Sequence, residues 1–91
     1  MIGITMDELK DKIFRGHEAE FSYKGCEFSL ETEGVNEKIV AKIWKCIGEP
    51  VCIAETYIEE LYDLDKLFNE KCFEGKSFYE IEAEIMVENV F

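Results

Sequence analysis

The chain has 91 residues, and its 21 Asp and Glu against 10 Lys and Arg leave a formal charge of −11. That length fits one small α+β domain over residues 1–91, and hydrophobic content of 47% with 13% aromatics excludes a disordered acidic tail. So much negative charge repels phosphate, which argues against direct nucleic-acid binding and against adhesion to an anionic membrane.

The first element starts at Thr5-Met6-Asp7-Glu8, a capping box in which the Thr5 hydroxyl accepts from the Glu8 amide. Ile4 and Leu9 are placed to staple its first turn. Met6, Leu9 and Ile13 follow helical spacing, and Gly16 supplies the stop, so a helix is expected over about 6–15.

Beyond Gly16 the period falls to two. Ala19, Phe21 and Tyr23 alternate with polar residues, as do Cys26, Phe28 and Leu30 after a Lys24-Gly25 turn. A hairpin with that turn sets Tyr23 opposite Cys26, Phe21 opposite Phe28 and Ala19 opposite Leu30, with every apolar side chain on one face. A turn over 34–37 then leads to a strand over 38–47, and pairing Glu33 with Lys38 places Leu30 beside Ala41 and Phe28 beside Ile43. Gly48-Glu49-Pro50 breaks the chain before a fourth strand over 51–58.

Helical spacing returns with Asp63 as a cap for Leu64, Leu67, Phe68 and Cys72, and Tyr62 positioned to staple Leu67. Ser77-Phe78-Tyr79-Glu80 is a second capping box, followed by Ile81. The β-favouring Ile85, Val87 and Val90 point to a short final strand. The expected architecture is an N-terminal helix, a four-stranded antiparallel meander, two C-terminal helices packed on one sheet face, and that short last strand.

Two segments carry a family resemblance. Gly16-His17-Glu18-Ala19-Glu20-Phe21-Ser22-Tyr23-Lys24-Gly25 resembles the opening hairpin of a family of small, uncharacterised acidic Firmicutes proteins with phage associations. Residues 65–81, centred on Glu74-Gly75-Lys76-Ser77-Phe78-Tyr79-Glu80-Ile81, resemble the C-terminal segment of the same family. The resemblance spans about a third of the chain, and Cys26 and Phe73 depart from the expected residue types. It implies a shared α+β fold and a bacterial or prophage origin, and it carries no activity.

Little in the sequence points to catalysis or to a cofactor. Cys26, Cys46, Cys52 and Cys72 are at least six residues apart and His17 is the sole histidine, so no zinc-ligand pairs form. Asp63-Leu64-Asp65 opens like a calcium loop but lacks the third carboxylate and the central glycine. The chain start shows no basic or long apolar stretch, so free cysteines in a reducing cytoplasm are expected, with Cys26 and Cys52 in the core. His17, beside Glu18, is expected as a solvent-facing turn residue, and Ser77 is accounted for as a cap. No phosphate-binding glycine loop occurs.

Two surface features stand out instead. In the hairpin register Glu18 faces Glu31, with Glu20 and Glu27 close by, which concentrates like charge on one face. On the third and fourth strands, taking Ile39, Ala41, Ile43, Cys52, Ala54, Thr56 and Ile58 as core turns Val40, Trp44, Cys46, Val51, Ile53 and Tyr57 outward. That apolar patch around Trp44 calls for cover by the C-terminal segment or by a partner chain. The expectation is a non-enzymatic protein-interaction module, homodimeric through Val40, Trp44, Val51, Ile53 and Tyr57. Its acidic face of Glu18, Glu20, Glu27 and Glu31 would meet basic partners. The alternative is an inhibitor that mimics nucleic-acid phosphate and occupies a host or defence protein.

Overall fold

The computed structural model describes every residue, Met1–Phe91. Helix α1 (Met6–Phe14) is capped as its sequence requires: the Glu8 amide donates to Thr5 Oγ1 at 3.2 Å. It lays Leu9 and Ile13 into the core. Strands β1 (Ala19–Tyr23), β2 (Cys26–Val35), β3 (Lys38–Lys45) and β4 (Val51–Ile58) form the antiparallel meander, and β5 (Met86–Val90) adds to the β1 side. The spatial order is β4-β3-β2-β1-β5. Helices α2 (Leu64–Phe68) and α3 (Phe78–Ile81) complete the chain, with 3-10 turns at Leu61–Asp63 and Glu82–Glu84.

The first hairpin has the expected register, Ala19 with Leu30 and Tyr23 with Cys26. Lys24 (φ 50°) and Gly25 (φ 75°) are both left-handed, the backbone that a tight two-residue turn needs to match strand twist. The second hairpin differs from the expected one by two residues. Val35, not Glu33, pairs with Lys38, so Leu30 meets Ile43 and Phe28 meets Lys45. The turn is again two residues long, with Asn36 at φ 50° and Glu37 at φ 65°. A shift of two preserves which face each side chain takes, so periodicity alone does not distinguish the two registers.

All three helices cover the same face of the sheet. Leu9, Ile13, Leu64, Leu67, Phe68, Phe78 and Ile81 join the inward strand residues in one core. At its centre the Phe21 ring stacks on Phe28 at 5.2 Å and meets Phe78 edge-on at 5.3 Å, while Phe73 closes on Phe28 at 5.2 Å. Phe73, which falls in the loop between α2 and α3, is buried and supplies one of these rings.

The C-terminal helices depart from expectation in detail. Asp63 does not stand outside α2 as its cap; the chain is already turning at Leu61, and the Asp63 carboxylate accepts the Glu59 and Glu60 amides at 2.9 Å each. α2 ends at Phe68, leaving Cys72 outside it, and Tyr62 is 67% exposed rather than stapled to Leu67. Ser77 and Glu80 form the full reciprocal capping box, with the Glu80 amide on Ser77 Oγ at 3.2 Å and the Ser77 amide on Glu80 Oε1 at 3.0 Å. Three elements are tied at the surface by Asp65 of α2, which accepts from Lys10 Nζ of α1 at 2.8 Å and from the Tyr79 hydroxyl of α3.

Candidate functional site

Because the helices all lie on one side, the other face of the five-stranded sheet is left without a covering layer. Its residues fall into two halves. One half, on β5, β1 and β2, is acidic; the other, on β3 and β4, combines aromatic and aliphatic side chains with Lys42.

The acidic half gathers the four glutamates expected from the hairpin register and one more. Glu18 lies close to Glu31 and Glu20, and Glu27 lies close to Glu88 and Glu20. None of these five carboxylates forms an ion pair, since the paired acids are Asp11, Glu33, Glu55, Asp63, Asp65 and Glu80. Partial desolvation and then the Glu31 charge push the Glu18 carboxyl above the usual glutamate range. Glu27 is also pushed up, first through its contact with the Glu88 carboxyl. Glu20 keeps one neutral partner, the Asn89 side-chain amide at 3.0 Å. Glu88 had no place in the sequence-derived group because β5 reaches β1 from the far end of the chain, and its position rests on a bulge in that pairing between Glu20 and Phe21. No three His, Cys, Asp or Glu side chains converge in a geometry suited to a metal ion.

On the other half, a second bulge changes the expected pattern. Pairing runs regularly from Ile39–Ile58 to Ile43–Ala54 and then jumps to Trp44–Cys52, leaving Ile53 as the extra residue. Ile53 therefore turns to the covered side, where it packs on the core beside Phe28 and Phe73. Cys52, expected inward, instead lies beside Glu55, Lys42 and Glu33 on the open face. Val51, opposite Lys45 at the far end of β4, is 58% exposed but no longer shares a patch with Trp44. Val40 does face outward, yet only 5% of it is exposed, because it lies between Glu33 on β2 and Tyr57 on β4. Ile39, expected in the core, is 49% exposed at the sheet's end. Cys26 is half-buried and packs against the core as expected, whereas Cys52 is half-buried outside it.

What remains around Trp44 is a mixed surface. Trp44 is half-buried and its indole Nε1 donates to Glu31 Oε1 at 2.8 Å, which joins the two halves. Lys42 sits 5.5 Å over the Trp44 ring, bonds Glu33, and reaches Glu55 at 3.9 Å. Tyr57 is 58% exposed and carries the Lys38 ammonium 5.3 Å over its ring. The C-terminal segment does not cover this surface, since α2 and α3 pack on the opposite face and β5 pairs at the far edge. His17 is half-buried, its Nδ1 bonded to the main-chain oxygen of Phe91, so it braces the end of the chain rather than facing free solvent.

Comparison with known proteins yields one partial similarity. Over 62 residues the chain is 39% identical to a genome polyprotein of feline calicivirus, a match that covers 64% of this chain. The chain spans 4% of that polyprotein's length. No protein-family model matches the chain, and no solved structure matches it. No helix is long and apolar enough to cross a membrane.

Proposed function

We propose that this protein is a non-enzymatic interaction module, homodimeric, that offers the open face of its sheet to a basic protein surface. The observation that carries this reading is the gathering of Glu20, Glu27, Glu31 and Glu88 on three neighbouring strands, with Glu18 just ahead of β1, and no cation paired to any of them. Like charges set across strands are a standing cost to the fold. A ligand bearing Lys or Arg relieves it, so part of the free energy of binding is already stored in the unbound molecule. Long-range attraction adds speed of encounter, since net charge of −11 steers cationic partners.

Trp44 is the sole tryptophan and hydrogen-bonds into the acidic half, so its fluorescence reports on that face directly. Titration with a Lys/Arg-rich peptide is expected to shift Trp44 emission with an affinity that falls steeply between low and high salt. The triple variant Glu18→Lys, Glu20→Lys, Glu31→Lys is expected to abolish the response, and an acidic peptide of equal length to produce none. Equal responses from both peptides, or no response from the basic one, overturn the reading.

A second reading is favoured by the same carboxylates running across neighbouring strands: the row imitates nucleic-acid phosphate and occupies the groove of a DNA- or RNA-binding protein. It adds one expectation. The protein should displace labelled duplex from a basic nucleic-acid-binding domain, and the triple Lys variant should not.

A further inference from the structure

The two outer edges of the sheet are finished differently. Along β5 the chain start adds a partial strand: Ile2 pairs in parallel with Met86, its amide donating to the Ile85 carbonyl at 3.0 Å and its carbonyl accepting the Val87 amide at 2.9 Å. β4 has no such cover. Its eight residues hydrogen-bond through the main chain to β3 only, and Glu55 is its one charged side chain. Edge strands of natural proteins are normally blunted by lysine, proline, a bulge or brevity; β4 is bulged at Ile53, but its regular stretch from Ala54 to Ile58 has no lysine, proline or bulge.

We infer that β4 pairs antiparallel with β4 of a second copy across a two-fold axis at Thr56, joining two five-stranded sheets into one of ten. This rests on the homodimer proposed above and assigns its interface. The occupant is a second copy because of where the charge lies. The order β4-β3-β2-β1-β5 places the acidic half at the opposite side of the sheet from this edge. With strands about 4.8 Å apart, β2 of one copy would stand about 24 Å from β2 of the other, well beyond the screening length of about 8 Å at physiological salt. Association through the open face would instead bring two sets of unpaired carboxylates together.

The register follows from side-chain direction and charge. An axis at Glu55 sets the two Glu55 carboxylates directly opposite each other. An axis at Ala54 sets Glu55 against Ile53, which the bulge has turned to the other face. An axis at Tyr57 brings Glu59 against Glu55. With Thr56 on the axis, Ile58 meets Ala54 on the core side, and Glu59, beyond the end of β4, falls at the Ile53 bulge, where the regular ladder stops. On the open side Tyr57, with the Lys38 ammonium 5.3 Å over its ring, meets Glu55 of the second copy.

Sedimentation equilibrium on the full chain tests this. A species of twice 10.6 kDa is expected. Tyr57→Glu, which places like charges opposite each other at two symmetric positions, should weaken association roughly tenfold or more. Adding Glu55→Lys to that variant should restore it, because each new Glu then faces a Lys. Circular dichroism verifies that both variants keep the fold, and Trp44→Ala should leave the dimer intact. A wild-type chain that stays monomeric to millimolar concentration overturns both this interface and the homodimer. A dimer indifferent to Tyr57→Glu but lost in Trp44→Ala overturns the edge interface and leaves the homodimer standing. Dissociation by Tyr57→Glu without rescue by Glu55→Lys overturns the Thr56 register.

Discussion

The two faces of the sheet are held by different physics. The covered face is a dry aromatic cluster in which Phe21, Phe68 and Phe78 are fully buried, and its stability comes from area removed from water and from ring packing. The open face is a charged surface on which Lys42 joins Glu33 and Glu55 while five glutamates stand unpaired nearby. The first should be indifferent to pH and salt and intolerant of truncation, and the second the reverse. A small domain that carries a repulsive face depends on the other face to hold it folded.

The sharpest way to break the contrast is to truncate one side chain on each face. Phe78→Ala removes a ring packed against Phe21, Phe68 and Phe73, and should cost about 3–5 kcal/mol in a denaturant titration. Tyr57→Ala, on an exposed residue of the open face, should stay within about 0.5 kcal/mol at concentrations where the chain is monomeric. Comparable losses at the two sites would mean that the open face is packed after all.

A smaller effect separates steric closure from backbone strain along the β5 edge. Gly3 sits at φ +101°, and a Cβ there would lie 2.5 Å from the Val87 carbonyl oxygen, whereas Gly16 at φ +91° has open space around it. Gly16→Ala should cost about 1 kcal/mol from left-handed strain alone, and Gly3→Ala about 2–3 kcal/mol because the chain start must also move off β5. Equal costs would show that the partial strand at Ile2 contributes nothing to the edge.

The gentlest test is pH, where the acidic group of the open face and the surface tie at Asp65 should respond with opposite sign. Glu18 and Glu27 have pKa values raised in the folded chain, so their contribution is fully present below the ordinary glutamate range and is lost as pH rises through the raised values. Asp65 is held low, chiefly by the Lys10 hydrogen bond and next by Tyr79; its contribution is present above the ordinary aspartate range and is lost as pH falls through the lowered value. Glu18→Gln with Glu27→Gln should therefore raise Tm at neutral pH, and more so at low salt, with the gain shrinking in mild acid. Asp65→Asn should lower Tm at neutral pH, and the loss should fade in strong acid. Melting curves from about pH 2 to 8 for both variants decide it; shifts of the same sign at neutral pH would remove the distinction.

Much of this architecture was legible because it is local. The Thr5 cap, the Ser77 capping box, the change of period after Gly16 and the Lys24-Gly25 turn are each settled within a few residues, and the structure has them, except that the Glu8 carboxylate accepts from the Thr5 hydroxyl and not from the Thr5 amide. The gathering of Glu18, Glu20, Glu27 and Glu31 followed from the first hairpin for the same reason. Reading the Trp44 surface was harder, because strict alternation along β4 assumes an unbroken ladder. The bulge at Ile53 reverses the alternation at one point, sending Ile53 to the core and Cys52 to the open face.

The sequence by itself determined the order and type of the elements and the side of the sheet that each regular stretch buries, since capping chemistry and side-chain period act between near neighbours. Only the tertiary structure decided the second hairpin's register, the bulges, the entry of Glu88 into the acidic group and which edge is left open. Those depend on pairings between β5, β1 and the chain start, or between β3 and β4, and they are selected by how the whole sheet closes over its core.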